Sequence, residues 1–131
     1  MSFELPYNGG EIWFEHLDGI YNYEELVINK LMRDIPVFSR PSSSSFVCFV
    51  FNETKVTDKI ISAVKESILD SGKRYMKIAF VGLDKKSVHK IKKSLSSQSF
   101  VISFWSGLED AKNSLEKHID KYLYKVIIYN R

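Results

Sequence analysis

A strand-then-helix unit recurs three times after residue 45, and no other feature of this sequence restricts its fold as strongly. Phe46–Phe51 (FVCFVF) leads into a helical pattern over Thr57–Ser71, Met76–Leu83 (MKIAFVGL) into Asp84–Leu95, and Phe100–Trp105 (FVISFW) into Leu108–Tyr122. A parallel neighbour needs a crossover of roughly a dozen or more residues, usually a helix, so the alternation predicts an α/β fold built on a mostly parallel sheet. The central run is apolar at every position from 46 to 51, which predicts cover on both faces of that sheet. In such folds binding groups collect where strand carboxyl ends meet helix amino ends.

Ahead of the repeating units, Ser2–Leu5 and Glu11–Leu17 flank Tyr7-Asn8-Gly9-Gly10, and Asn-Gly tolerates the positive φ angles of a tight hairpin turn. This hairpin is expected to supply the antiparallel member of one mixed sheet. In its second arm Ile12, Phe14 and His16 alternate with Glu11, Trp13 and Glu15, the pattern of a strand with two unlike faces. Asn22, with Glu25 completing a box-like cap, predicts a first helix whose core residues are Leu26, Ile28, Leu31, Met32 and Ile35 and which Pro36 ends. Ser39–Ser45 (SRPSSSS) is low in complexity and reads as an exposed connection. Thr57-Asp58 opens the second helix, which places Ile60, Ile61, Val64 and Ile68 on one face and stops at Gly72. Asp84 caps the third helix above a stripe of Val88, Ile91 and Leu95. Ser106-Gly107-Leu108-Glu109 opens a fourth with Leu108, Ala111, Leu115, Ile119 and Tyr122 inward. Lys125–Tyr129 (KVIIY) has strong strand propensity, so the tail over 122–131 reads as a last strand or as an extension of that helix. Val50, Ile78 and Val101 are the expected core markers.

With 131 residues, 44% of them hydrophobic, the chain is expected to form one domain over 1–131 and is too apolar to stay disordered. Its apolar runs of about six residues fall far short of the ~20 that span a bilayer. No charged segment followed by an apolar core opens the chain, so no secretory signal is expected and a cytoplasmic location is. Cys48, the lone cysteine, reads as a buried structural thiol, because nothing near it in sequence would lower its pKa. The net charge of +3 is unevenly spread. Residues 1–25 hold Glu4, Glu11, Glu15, Asp18, Glu24 and Glu25 without a Lys or Arg, whereas the third helix holds Lys85, Lys86, Lys90, Lys92 and Lys93. Such asymmetry can steer an oppositely charged partner, and Lys85, Lys86, Lys90 and Lys93 form the candidate basic patch. No arginine cluster, recognised motif or aromatic stacking platform accompanies the lysines, so nucleic-acid binding is not expected.

The residues that ordinarily carry catalysis do not assemble into a pattern. His16, His89 and His118 sit singly on separate elements, where metal binding needs several ligands at short spacing. No G-x-S-x-G elbow, GxGxxG fingerprint or Walker loop is present, so neither a metal nor a cofactor is expected, and the chain reads as a non-enzyme. Perturbed carboxylates clustering around Glu11, Glu15 and Asp18 in a cleft would revive an enzymatic reading. One junction stands apart: Asn52-Glu53-Thr54-Lys55-Val56-Thr57-Asp58 runs from the central strand straight into a helix. Free N–H groups and the helix dipole favour an anion there, and capping by Thr57 or Asp58 is the simpler expectation. Asn52, Glu53, Thr54, Thr57 and Asp58 are therefore the candidate partner or anion contacts.

In its element order, in the acidic hairpin ending Leu17-Asp18-Gly19-Ile20, in Ile78-Ala79-Phe80-Val81-Gly82 and in Phe104-Trp105-Ser106-Gly107-Leu108-Glu109-Asp110-Ala111, the chain resembles the STAS domain over about residues 3–120. That family comprises bacterial anti-sigma-factor antagonists and the cytoplasmic domains of sulfate transporters. The resemblance implies a STAS-like arrangement with about four helices and a non-enzymatic, regulatory module that binds another protein, or its own copy as a homodimer. It also implies a phosphorylatable hydroxyl at the start of the helix after the central strand. The family's Asp-Ser-Ser/Thr-Gly-type motif is missing there; only Thr57-Asp58 stands near the matching place, so a surface that works without phosphorylation is expected. The chain also looks like the lipid-carrier branch often grouped with STAS-like domains, which makes a small-molecule or lipid-binding module the alternative.

Overall fold

The computed structural model describes residues 3–7, 10–40, 45–70, 75–95 and 100–113. They form one five-stranded sheet in the order β1 (Phe3–Tyr7), β2 (Gly10–His16), β3 (Phe46–Val50), β4 (Lys77–Val81) and β5 (Val101–Trp105). The hairpin partner β1 is antiparallel to β2, and β2 through β5 run parallel. The chain is thus the α/β fold with a mixed, mostly parallel sheet that its alternating pattern predicts. The three crossovers carry α1 (Glu24–Phe38), α2 (Asp58–Leu69) and α3 (Lys85–Leu95), and residues 108–113 open a fourth helical stretch. None of the helices among the described residues is long and apolar enough to cross a membrane. The turn residues Asn8-Gly9, Gly72, and everything after 113, including Leu115, His118, Ile119 and the segment 122–131, lie outside the described residues.

Crossovers of one hand between successive neighbours deliver every helix to the same face. Accordingly Val27 and Leu31 of α1, Ile60, Val64 and Ile68 of α2, and Ile91 and Leu95 of α3 share one buried cluster with Trp13, Val47, Phe49, Ile78 and Phe80. The opposite face, made of Ile12, Phe14, Cys48, Val50, Ala79 and Val81, is buried as well, with Met76, Trp105, Leu108 and Ala111 packed against it. The fourth helical stretch therefore starts on the face that α1–α3 leave free, with Leu108 and Ala111 in its apolar cluster.

In-register pairing turns the helix-covered face into rows. Glu15, Phe49, Phe80 and Phe104 occupy one level across four strands. Phe49 stacks on Phe80 at 5.4 Å and Phe80 on Phe104 at 5.5 Å between ring centroids. Lys92 lies over Phe104 at one end of the row. Glu15 stands at the other.

Several local expectations need correction. No side chain caps α1: its N-cap is Tyr23, and Pro36 sits inside the helix, which runs on to Phe38. Proline lacks only the N–H that would reach back to Met32, and the last turn is closed instead by Ser39 N–H to Ile35 and Arg40 Nε–H to Pro36. The buried side of α1 is Val27, Leu31 and Phe38, while Leu26 and Met32 face solvent. The apolar positions of this helix cover more than one face, and the sheet takes only one. Val101 is 51% exposed, because β5 is the last strand of the sheet, whereas Val50 and Ile78 are buried as expected. Nor does β2 have a solvent face: Trp13 and Glu15 are buried beneath α1 while Ile12 and Phe14 are buried on the other side.

Candidate functional site

The carboxyl ends of the parallel strands form a rim in which the 52–58 junction is the central member. Asn52 follows β3 and reaches across two strands, its Nδ2 donating to the Ser106 carbonyl at 3.2 Å. Gly82 lies beneath it with φ +81°, and a Cβ there would stand 2.7 Å from the Asn52 nitrogen. Only glycine permits this approach. Thr54 ties the junction to the loop after β2: its hydroxyl donates to the Leu17 carbonyl at 2.6 Å and accepts from Ile20 N–H at 3.1 Å. Tyr21 N–H donates to the Glu53 carbonyl, Lys55 N–H to the Tyr21 carbonyl, and Tyr21 forms a parallel bridge with Thr54.

Thr57 caps α2 as its position suggests. Its hydroxyl accepts from Ile60 N–H at 3.2 Å and donates to the Glu24 carboxylate at the start of α1. A hydroxyl held this way faces a negative charge, so a phosphate on it would meet repulsion that the helix dipole offsets only in part. Asp58 points the other way and binds Lys90 of α3, an ion pair that holds the Asp58 carboxyl below its usual range. The two sequence-derived candidates, the acidic junction and the basic patch, thus meet through Asp58 and Lys90. Lys85, Lys86 and Lys93 stand exposed on α3, which Asp84 caps through a 2.7 Å bond from Ser87 N–H. That bond lowers the pKa of Asp84.

Two features of the rim escaped the sequence. Tyr21 (φ 52°) and Glu53 (φ 58°) both occupy the left-handed region that non-glycine residues ordinarily avoid. The hydrogen bonds that link their loops hold them there side by side. Next to them Tyr21, Tyr23 and Leu26 expose more than half of their surface, a concentration of large apolar groups flanked by Glu25 and Glu53. Nothing in the local sequence signals positive φ at a tyrosine or a glutamate; the only hint was the density of aromatic residues after Gly19.

The carboxylates foreseen as a possible cluster part company. Asp18 is exposed and pairs with His16 at 3.2 Å. Glu15 instead is fully buried, its Oε1 accepting from Trp13 Nε1–H at 2.9 Å. Among the described residues its Oε2 has no hydrogen-bond partner; it lies 3.7 Å from Lys30 Nζ, which is itself bonded to Asp34 at 2.8 Å. Burial, reinforced by the neighbouring Asp34 carboxyl, pushes Glu15 up to about 8. For Asp34 burial works upward too, but contacts with Glu15 and Lys30 prevail and lower it. Glu15 is sealed between β2 and α1, with none of its surface exposed.

Cys48 is a buried cysteine, and His89 is exposed on α3. Among the described residues no three His, Cys, Asp or Glu side chains converge in a way that could hold a metal. A groove of about 220 Å³ between α1 and α2 is lined by Met32, Ile35 and Ala63 together with Ser39, Glu66, Ser67 and Asp70. No family model matches the chain, and no curated protein or solved structure matches it either.

Proposed function

We propose that the chain is a non-enzymatic, STAS-like regulatory module that binds another protein through the rim at the carboxyl ends of its strands. The observation that carries this reading is the pair of strained residues, Tyr21 and Glu53, locked side by side next to the exposed Tyr23 and Leu26. Left-handed backbone at non-glycine residues costs on the order of 1 kcal/mol each and tends to persist where it shapes a contact. Large apolar groups held outward by such a scaffold bury well against a protein partner. Thr57 serves this surface as a cap rather than as a phosphate acceptor, so binding needs no phosphorylation. The groove between α1 and α2 mixes carboxylates with its apolar wall and does not favour the lipid-binding alternative.

The test is site-specific photo-crosslinking in the native cell. A photoreactive phenylalanine analogue replaces Tyr23, and in a control it replaces Lys65, exposed on α2. One discrete protein adduct at position 23, absent at position 65 and lost with Tyr21→Asp, supports the proposal. Equal labelling at both positions, or none at 23, overturns it.

A further inference from the structure

The two edges of the sheet are treated differently. At one edge β1 carries Pro6 and a register irregularity between Phe3 and Leu5, both of which discourage pairing with another strand. At the other edge β5 pairs with β4 without a break, from Lys77–Val101 to Val81–Trp105, and Val101–Trp105 contains neither proline nor a charged residue. Val101 N–H donates to the Met76 carbonyl and Trp105 C=O accepts from Gly82 N–H. Backbone groups alternate in direction along a strand. Residues 101, 103 and 105 therefore bond inward, and Ile102 and Phe104 turn their N–H and C=O groups outward. Among the described residues nothing pairs with that outer side.

Its surroundings say what kind of strand it suits. On the helix-covered face, Lys92 Nζ sits 5.6 Å from the centre of the Phe104 ring. Lys85 precedes Lys92 by two helical turns and so shares its side of α3, and both are exposed. On the opposite face Val101 is half exposed and Trp105 partly so. An incoming strand would thus meet cations on one face and apolar side chains on the other. Two antiparallel copies of β5 would bring their own Lys92 and Lys85 side chains together, which disfavours self-pairing.

We propose that the outer edge of β5 is a docking site for an extended acidic segment of another protein, which adds to the sheet as a strand. Its alternate carboxylates face Lys85 and Lys92, and its intervening β-branched residues pack against Val101 and Trp105. Main-chain pairing supplies affinity and the alternation supplies specificity. This surface is separate from the rim at Tyr21 and Tyr23 and stands or falls without it.

The probe is a fluorescein-labelled heptapeptide of alternating valine and glutamate, titrated into the full chain by fluorescence anisotropy. Binding is expected to weaken at least tenfold in the surface double variant Lys85→Glu/Lys92→Glu, checked for unchanged folding by circular dichroism. It is expected to disappear when alternate peptide nitrogens are methylated and to weaken as salt is raised. Equal binding of a valine–lysine heptapeptide, indifference to N-methylation, or no binding overturns the proposal. So does slow hydrogen exchange of the Ile102 and Phe104 amides in the free monomer, which would mean that the chain covers its own edge. A concentration-dependent dimer that the peptide fails to dissociate would assign the edge to a second copy and overturn it as well.

Discussion

Replacing Glu15 by Gln should make the protein more stable at alkaline pH, which is the reverse of what losing a native charged group commonly does. Glu15 is 0% exposed and its folded-state pKa is raised from 4.5 to about 8, chiefly by burial. In the unfolded chain the group titrates near its ordinary value. Between those limits the native state holds a proton that the unfolded state has released, so stability falls as pH rises. At ~1.4 kcal/mol per pH unit the ceiling over this window is roughly 4–5 kcal/mol. Asp34 does not offset it: its folded pKa is lowered, so its contribution is lost only on acidification below this window. The groups facing Glu15 are Trp13 on its own strand and Lys30 and Asp34 on α1, with Arg33 beside Asp34. Glutamine keeps the carbonyl that accepts from Trp13 and removes the titration. Urea denaturation at pH 5 to 9, followed by tryptophan fluorescence, should show wild type and Glu15→Gln within about 1 kcal/mol at pH 5 and diverging above pH 7, with the variant ahead. Parallel curves over the whole range, or a carboxyl resonance of Glu15 titrating near 4.5, would refute the reasoning.

Three further outcomes follow from the packing. Gly82→Ala should cost on the order of 2 kcal/mol or more, since it adds a clash with the Asn52 backbone to a φ of +81°, whereas Gly19→Ala, at φ +69° with open space around its Cβ, should cost only about 1 kcal/mol; thermal denaturation of the pair separates clash from strain. Thr57→Ala should cost about 1 kcal/mol and Thr57→Ser much less, because the serine hydroxyl can accept from Ile60 N–H, and chemical denaturation of both variants checks it. In β4, Ile78→Ala should cost roughly 2–4 kcal/mol, while Val101→Ala at the exposed edge should cost less than ~1 kcal/mol in the same assay.

What the sequence reveals and what it conceals divide along physical lines. The first two strand–helix units were legible because each rests on local signals: an apolar run, then a capping residue, Thr57 or Asp84, whose bond closes within three residues; of the third, β5 and the helix start over 108–113 lie among the described residues. The side of α1 that faces the sheet was not legible. Leu26, Ile28, Leu31, Met32 and Ile35 fit a helix, yet burial fell on Val27, Leu31 and Phe38 through packing against strands distant in sequence. Exposure of Val101 follows from strand order, which periodicity does not encode. The alternation in β2 marks two unlike faces but does not tell that both are buried, and Glu15 meets Lys30 only because tertiary packing lays α1 over the strand. At the rim the sequence pointed to the 52–58 junction, and Thr57 is the cap it suggested. The strained Tyr21 and Glu53 were hidden, because left-handed backbone at such residues is imposed by tertiary hydrogen bonds rather than by their own preferences.

The most direct test of the central claim is to titrate the partner captured by crosslinking into isotope-labelled protein and record which backbone amides move in the NMR spectrum. Binding at the rim predicts shifts confined to Ile20–Leu26 and Asn52–Lys55, with the amides of Ser45, Met76 and Phe100 at the opposite end of the sheet unmoved. Shifts concentrated at that opposite end, with Tyr21, Tyr23 and Glu53 silent, would contradict it.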